Sequence, residues 1–214
     1  MTKRSYGQYC GLAAALDVVG QRWALLIVRD LVPGPRRFTD LFDGLPGIST
    51  DLLTERLRSL EAAGAVKQRS VRSPAPANLY ELTDRGRELA KLAGEMARWG
   101  IELLPPIDEA PDLVANARWT LQLRSTRYRG GFPDGAVHIT LDDREELTIT
   151  FADERARLTY GHSNDVALLT IDATTSAMRA LLRASHSDGG DLHPDCSVEG
   201  RTELLGQFVQ SLAV

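Results

Sequence analysis

One stretch, ISTDLLTERLRSLEAAGAVKQRS, constrains the fold more than any other, because it joins a complete helix to the start of a strand. Ser49 or Thr50 is suited to cap the helix, since a side-chain oxygen satisfies an unpaired backbone N–H. Gly64 is the residue type that ends many helices. At about 100° per residue, three leucines fall on one side and are predicted to face the core. These are Leu53, Leu57 and Leu60.

The elements around this helix complete a recognisable order. Three shorter helical segments precede it, LAAALDVVG, WALLIVRDLV and FTDLFDGLPG. The alternating segments AVKQRSVR and ANLYELT follow, joined by SPAPA, and predict a hairpin with a proline-stiffened loop. Thr83 or Asp84 then caps a long helix. The order of four helices, a hairpin and a helix is that of a winged helix-turn-helix.

The outer side of the central helix carries short polar groups at its N-terminal end. On the same projection Asp51, Glu55 and Arg58 lie opposite the leucines, with Thr54 on the flank. In helix-turn-helix proteins the N-terminal part of the second helix enters the major groove, and free N–H groups there also attract phosphate. The residues expected to meet base edges or phosphates are Ser49, Thr50, Asp51, Thr54 and Arg58.

Basic residues flank this helix on both sides. Lys67, Arg69 and Arg72 are expected near the tip of the hairpin, where they would contact the DNA backbone or the minor groove. Arg36 and Arg37, expected at the start of the short preceding helix, are candidates for phosphate contacts. The alternative is a solvated amphipathic helix beside an ordinary hairpin, but the whole ordered set favours binding of double-stranded DNA.

The acids of the outer face limit this interpretation. Asp51 and Glu55 repel phosphate, so they must point at bases, pair with Arg58 or lie away from the DNA. All three alternatives remain open from the sequence.

The same region resembles the HxlR-type transcriptional regulators, relatives of the MarR group. The matching segments are a Cys near the N-terminus, ALDVVGQRW, GPRRFTDL, LPGIS, LTERLRSLEAAG and YELTDRGREL. The resemblance implies a dimeric regulator, expected to be a repressor, that binds a near-palindromic operator. It also implies a dimer built from the first and last helices of the domain, although the same residues are equally suited to a core. They are Leu12, Leu16, Val19, Leu89, Leu92, Met96 and Trp99.

Cys10 is a candidate redox sensor on the strength of that resemblance, because some relatives use a cysteine at this position to sense oxidants. Reactivity requires a lowered pKa and access, and the alternative is a small packed side chain. Gly11 stands where the family usually has proline, which leaves the local geometry open.

Charge is divided unequally along the chain. The net charge is −4, yet residues 1–104 carry a net +3 and residues 105–214 a net −7. The proline-rich, acidic stretch LLPPIDEAPD separates the halves. We therefore expect a DNA-binding domain over 1–104, a linker over 105–112 and a second domain over 113–214. The basic half is the candidate for a polyanionic partner.

The second half is expected to be α+β with a mainly antiparallel sheet, which makes the whole chain α+β. The predicted strands are RWTLQLRSTRY, AVHITLD, ELTITFA, RARLTYG and VALLTID, followed by two helices with a Gly/Asp-rich loop between them. Its last 50 residues resemble the end of a sterol carrier protein-type domain, which implies an apolar tunnel for a small apolar ligand. Candidate lining residues, for which plain core is the alternative, are Trp119, Leu121, Phe132, Phe151, Leu182 and Phe208.

No motif in the sequence indicates catalysis or a cofactor. There is no G-x-S-x-G, phosphate-binding glycine loop or H-E-x-x-H, and His186, His193 and Cys196 match no standard metal spacing, so we expect neither enzyme nor metal. No apolar run approaches a membrane span, and two distant cysteines fit a cytoplasmic location. The alternative function is a small-molecule carrier whose winged helix serves protein interaction or dimer assembly.

Overall fold

The chain forms two compact units, Met1–Asp112 and Leu113–Val214. The computed structural model describes residues 5–71, 77–103, 117–183 and 192–212. Both units mix helices with a sheet that is wholly or mostly antiparallel, which confirms the α+β class. The predicted linker over 105–112 and the SPAPA loop fall largely outside the described residues.

The first unit is a helical core with a small sheet. Its order is helix, helix, short strand, helix, helix, two-stranded hairpin and helix. The elements are α1 (Gly11–Val19), α2 (Ala24–Asp30), β1 (Arg36–Arg37), α3 (Phe38–Asp43), α4 (Thr50–Ala62), β2 (Val66–Val71), β3 (Ala77–Leu82) and α5 (Asp84–Gly100), with a 3₁₀ turn at Ile101–Leu103.

Helix α4 has the boundaries that its sequence predicts. The Ser49 hydroxyl accepts a hydrogen bond of 3.3 Å from the Leu52 N–H, which caps the N-terminus. Gly64 has a φ of +71°, and the Ala65 N–H donates to the Leu60 carbonyl at 2.9 Å, which is the hydrogen bond of a Schellman C-cap. The predicted core face is confirmed, because its three leucines are at most 1% exposed. They are Leu53, Leu57 and Leu60.

The sequence predicted that Arg36 and Arg37 begin the short helix before α4. This prediction is wrong. They form β1, which pairs antiparallel with β3 so that the sheet order is β1-β3-β2, and α3 begins at Phe38. A two-residue strand has no periodicity of its own. Its pairing partner, Leu79 and Tyr80, lies about forty residues away, so local patterns cannot reveal it.

Within its described residues, the second unit packs three α-helices against a five-stranded sheet. The strand order is β6-β5-β4-β7-β8, and all neighbours are antiparallel except β4 and β7. All three helices contribute to the same core as the strands. The elements are α6 (Ala117–Arg127), β4 (Gly135–Leu141), β5 (Glu145–Ala152), β6 (Arg155–Tyr160), β7 (Ala167–Ala173), α7 (Thr175–Arg183), β8 (Cys196–Gly200) and α8 (Leu205–Ser211).

The first predicted strand of this unit is wrong, because all of RWTLQLRSTRY except its final Tyr128 lies in α6. Its Trp-Thr-Leu-Gln-Leu alternation mimics a half-buried strand. The buried residues Leu121, Ser125 and Tyr128 are instead spaced by four and three, which is the helical repeat. The segment adopts the helical repeat instead of the two-residue repeat of a strand because its buried residues pack against the rest of the unit.

One strand of this second unit was also not predicted. Residues 196–200, expected to belong to the loop and turn before the last helix, form β8 at the edge beyond β7, where Ile171 pairs with Val198. The acids Asp142 and Asp143 form a tight turn between β4 and β5, with φ values of +53° and +54°.

Among the described residues no single helix is long and apolar enough to cross a membrane. The adjacent helices α1 and α2, bent by 75°, meet the length and composition test only when they are taken together.

Candidate nucleic-acid interface

The N-terminal end of α4 is an exposed polar surface. Ser49, Thr50 and Asp51 are all exposed at the first turn. Thr54, one turn further on, is half-buried, and its hydroxyl donates to the Thr50 carbonyl at 2.8 Å. That hydroxyl oxygen keeps acceptor capacity. The end of α4 therefore offers short side chains and free helix N–H groups, the combination that fits a groove.

The ion pairing of Glu55 narrows the alternatives that the sequence left open for the acids of α4. Glu55 accepts from the Arg56 guanidinium at 3.0 Å, rather than from Arg58. Arg58 is exposed and makes no ion pair or hydrogen bond with the described residues, so its guanidinium is available to an outside acceptor. Asp51 is also exposed, at the positive end of the helix dipole, where an acid is stabilised.

The hairpin beside α4 carries Lys67 and Arg69 on one side. Lys67 and Arg69 are exposed, and both reach Glu81 on β3, with Nζ at 3.1 Å and Nε at 3.7 Å from its carboxylate oxygens. Lys67 pairs with Glu81 in the register, close to the base of the hairpin rather than near its tip. The predicted contact residue Arg72 lies outside the described residues.

Glu81 is a residue that the sequence reasoning missed. Its side chain is 20% exposed, and it shields two of the cations that were expected to meet phosphate. Alternation along β2 and β3 signals that Glu81 shares a face with Lys67, but only the register shows that the two are opposite each other.

The two arginines of β1 are presented differently. Arg37 is exposed, and its backbone N–H donates to the Asp40 carboxylate at 3.1 Å, which anchors the start of α3. Arg36 is half-buried. Of the pair, Arg37 has the side chain that is accessible to a phosphate.

Cys10 is exposed immediately before α1. The backbone N–H groups of Ala13 and Leu12 lower the pKa of its thiol, although no capping hydrogen bond of ordinary geometry forms. Cys196 contrasts with it, because burial and the nearby Asp172 raise the pKa of that thiol. Of the two cysteines, Cys10 is therefore the one with access and a favoured thiolate.

Helices α1 and α5 expose an apolar face. Four of the seven residues predicted for a dimer interface are well exposed and so are not core, while Leu16, Val19 and Leu89 are half-buried. A cavity of about 430 Å³ lies between the two helices, lined mainly by alanine, valine and leucine side chains. The exposed apolar residues are Leu12 (68%), Leu92 (62%), Met96 (58%), Trp99 (73%) and Leu103 (66%).

The candidate ligand residues of the second unit lie in its core. Phe132 contacts Phe151 with ring centroids 4.6 Å apart and Phe208 at 5.7 Å, and Leu121 and Leu182 are at most 1% exposed. Burial alone does not distinguish plain core from the lining of a tunnel, so the ligand-binding role of these residues stays a prediction. The side chain of Trp119 lies outside the described residues. No group of three metal-ligating side chains occurs in the described parts of the chain.

Comparison with known proteins concerns the first unit. The sequence model of the HxlR-like helix-turn-helix family matches residues 18–108. The uncharacterized HTH-type transcriptional regulator YvaP of Bacillus subtilis (strain 168) is 41% identical over 93 residues, 43% of this chain and 85% of YvaP. The HTH-type transcriptional regulator YodB of the same organism is 32% identical over 97 residues, 45% of this chain and 87% of YodB.

The match to a solved structure covers a similar share of this chain. The redox regulator HypR in its oxidized form is 32% identical, with a TM-score of 0.42, over 45% of this chain and 99% of the HypR chain. Since the family match ends at residue 108, it does not bear on the second unit. The resemblance of that unit to sterol carrier-type domains stays a prediction.

Proposed function

Because the chain belongs to the HxlR-like helix-turn-helix family, and is therefore a DNA-binding transcriptional regulator, we propose that it binds a near-palindromic operator as a homodimer and represses transcription in the cytoplasm. The observation that carries this proposal is the exposed polar end of α4, flanked by a cationic hairpin on the same unit. A carrier protein or an enzyme would have no need of an exposed polar helix end beside a basic hairpin.

Base reading is assigned to the exposed side of α4. Thr50, Thr54 and Arg58 face outward from the buried leucines, and Arg58 has no competing partner among the described residues. An arginine in the major groove suits the two acceptors of guanine, whereas hydroxyl groups accept or donate to several bases. Ser49 and Asp51 complete the surface at the first turn, where the helix N–H groups favour a phosphate oxygen.

Phosphate contacts are assigned to the flanking cations. Arg37 is accessible beside α3, and Lys67 and Arg69 lie on the hairpin. Such contacts set register and affinity but carry no sequence information. Arg36 and Arg72 belong to the same proposal.

The dimer is assigned to the apolar face of α1 and α5. Exposed Trp99 and Met96, together with Leu92 and Leu12, form more apolar surface than a monomeric helix pair usually leaves in water. A two-fold axis would place two α4 helices on one side, and the operator would repeat that symmetry with half-sites about one helical turn apart.

Control by oxidation is assigned to Cys10. Its thiolate attacks a low-molecular-weight disulfide. The lone pair of the Cys10 sulfur forms the S–S bond of a mixed disulfide, and the electron pair of the broken S–S bond leaves with the released thiolate. The exposed position before α1 and the lowered pKa support this assignment. HypR, one of the similar structures, is described as a redox regulator.

The second unit is assigned a supporting role, either binding a small apolar ligand or stabilising the dimer. The resemblance of its last 50 residues to sterol carrier-type domains supports the ligand alternative. If the whole chain were instead a carrier with the first unit serving assembly, a fluorescent fatty acid would bind tightly while DNA binding stayed weak and unselective.

Selection of genomic fragments by the purified full-length protein tests the proposal. We expect enrichment of fragments that share one near-palindromic site, and release of that site after treatment with an oxidised thiol. Enrichment of no common sequence would contradict the operator. Selection of a common site that oxidation does not release would contradict only the role of Cys10.

A further inference from the structure

Arg56 is an arginine on α4 that is nearly buried although it lies on a surface helix. Its side chain is 11% exposed. On the helical projection it lies on the flank opposite Thr54 and Arg58, next to the buried Leu53 and Leu60. It therefore does not belong to the face that was assigned to base reading. Such a residue needs another explanation for its placement.

The guanidinium of Arg56 crosses to the turn between α1 and α2. Nε donates to the Arg22 carbonyl at 3.2 Å, and Nη2 donates to the Gln21 side-chain oxygen at 3.3 Å. Nη1 donates to Glu55 on α4 itself at 3.0 Å. One planar group thus joins α4 to a segment 34 or 35 residues earlier, with fixed directions.

The turn that accepts these bonds has little freedom. Trp23 has a φ of +78°, a left-handed conformation that is rare for a bulky side chain. The Arg22 guanidinium lies 5.2 Å from the centre of the Trp23 ring. At the end of α1, a Cβ on Gly20 would lie 2.5 Å from the Leu16 carbonyl oxygen. A backbone conformation that is energetically unfavourable, such as that of Trp23, persists only where contacts with the surrounding structure stabilise it.

We propose that Arg56 is a positioning residue that fixes the recognition helix α4 to the end of α1 and so determines sequence-specific DNA binding without touching DNA. This inference rests on the proposed function. It adds the element through which α1, which begins beside Cys10 and carries the exposed Leu12, constrains α4. The angle at which Thr50 and Arg58 enter a groove depends on the hydrogen bonds that Arg56 donates to the turn between α1 and α2.

The test compares Arg56→Lys with Arg58→Lys in the full-length protein. Both substitutions keep the charge, but a lysine cannot donate in two fixed directions to Arg22 and Gln21. For each variant, affinity is measured on the selected operator and on a scrambled duplex over a range of salt concentrations. Thermal unfolding and sedimentation of the free protein are recorded alongside.

For Arg56→Lys we expect about a tenfold loss on the operator, the size of one lost base contact, with unchanged affinity and salt slope on the scrambled duplex. Gln21→Ala, which leaves α4 untouched, should give a smaller loss of the same kind. Arg56→Lys combined with Gln21→Ala should lose less than the two separate losses multiplied, because both remove one contact.

Three results would overturn the inference. Unchanged operator binding by Arg56→Lys would show that the bonds to the turn do not matter. A shallower salt slope on both duplexes would identify Arg56 as a phosphate contact. Parallel losses on both duplexes with a lower melting temperature in both Arg56→Lys and Gln21→Ala would show a merely structural role. Failure of the wild-type protein to prefer any site would instead count against the proposed function.

Discussion

Glu81 gives the sharpest test of how the hairpin contributes to DNA binding. Its carboxylate lies 3.1 Å from Lys67 Nζ and 3.7 Å from Arg69 Nε, and it is the less exposed partner in both pairs. Glu81→Gln keeps the size of the side chain and removes the charge. We predict that this change raises affinity for DNA of any sequence, because both cations become available to phosphate.

The magnitude follows from counterion release. If one cation on each hairpin of a dimer gains a phosphate contact, the slope of log affinity against log salt becomes steeper by about 1.8. Raising salt from about 50 mM to about 200 mM should then cost the variant roughly tenfold more affinity than it costs the wild type. Folding stability should change by less than about 1 kcal/mol, since the two cations are more than half exposed.

Fluorescence anisotropy of a labelled random duplex, titrated at several salt concentrations, measures this slope. Glu199→Gln on β8 is the matched control, because it removes the same charge from an exposed site in the second unit. An unchanged slope, or weaker binding by Glu81→Gln, would refute the argument. It would mean that Glu81 holds Lys67 and Arg69 in place for DNA rather than competing with it.

Three further predictions concern the core, the cysteine and the dimer. Leu57→Ala, at a site 1% exposed, should lower the free energy of unfolding by about 2–5 kcal/mol in urea titration. Iodoacetamide should modify Cys10 at a pH below that needed by an ordinary cysteine and spare Cys196, as followed by mass spectrometry, since their pKa values move in opposite directions. Met96→Glu, at an exposed apolar position, should give a folded monomer in sedimentation; a dimer would contradict the assigned face.

The helices of the first unit could be predicted because their signals are local. The cap at Ser49, the leucine repeat and Gly64 all act within one helix and agree with one another. The hairpin strands likewise alternate strongly enough to be found from sequence. Where local propensity, pattern and termini point to one answer, tertiary context has little left to decide.

The failures arose where distant partners decide the structure. Strand β1 exists only through its bonds to β3, and β8 only through its bonds to β7. In α6 the alternation of the sequence favoured a strand, yet the buried residues Leu121, Gln122 and Ser125 lie at helical spacing, and two of them are polar. A pattern of residue types along the sequence contains no information about these contacts between distant residues.

The candidate site shows the same division. The outward position of Thr50, Thr54 and Arg58 follows from helix geometry, so sequence could predict it. The shielding of Lys67 by Glu81 and the reach of Arg56 to Gln21 depend on register and on tertiary packing. Both were therefore invisible before the fold was known, although they bear most directly on how DNA binding is tuned.

The ratio of affinities for the selected operator and for a scrambled duplex of the same composition, measured at one physiological salt concentration, tests the central claim most directly. A sequence-reading α4 predicts a ratio of about a thousandfold or more for the wild-type protein. It also predicts that Thr50→Ala and Arg58→Ala lower this ratio. A ratio near one would contradict the account, because it would leave only non-specific attraction between DNA and the cations of the first unit.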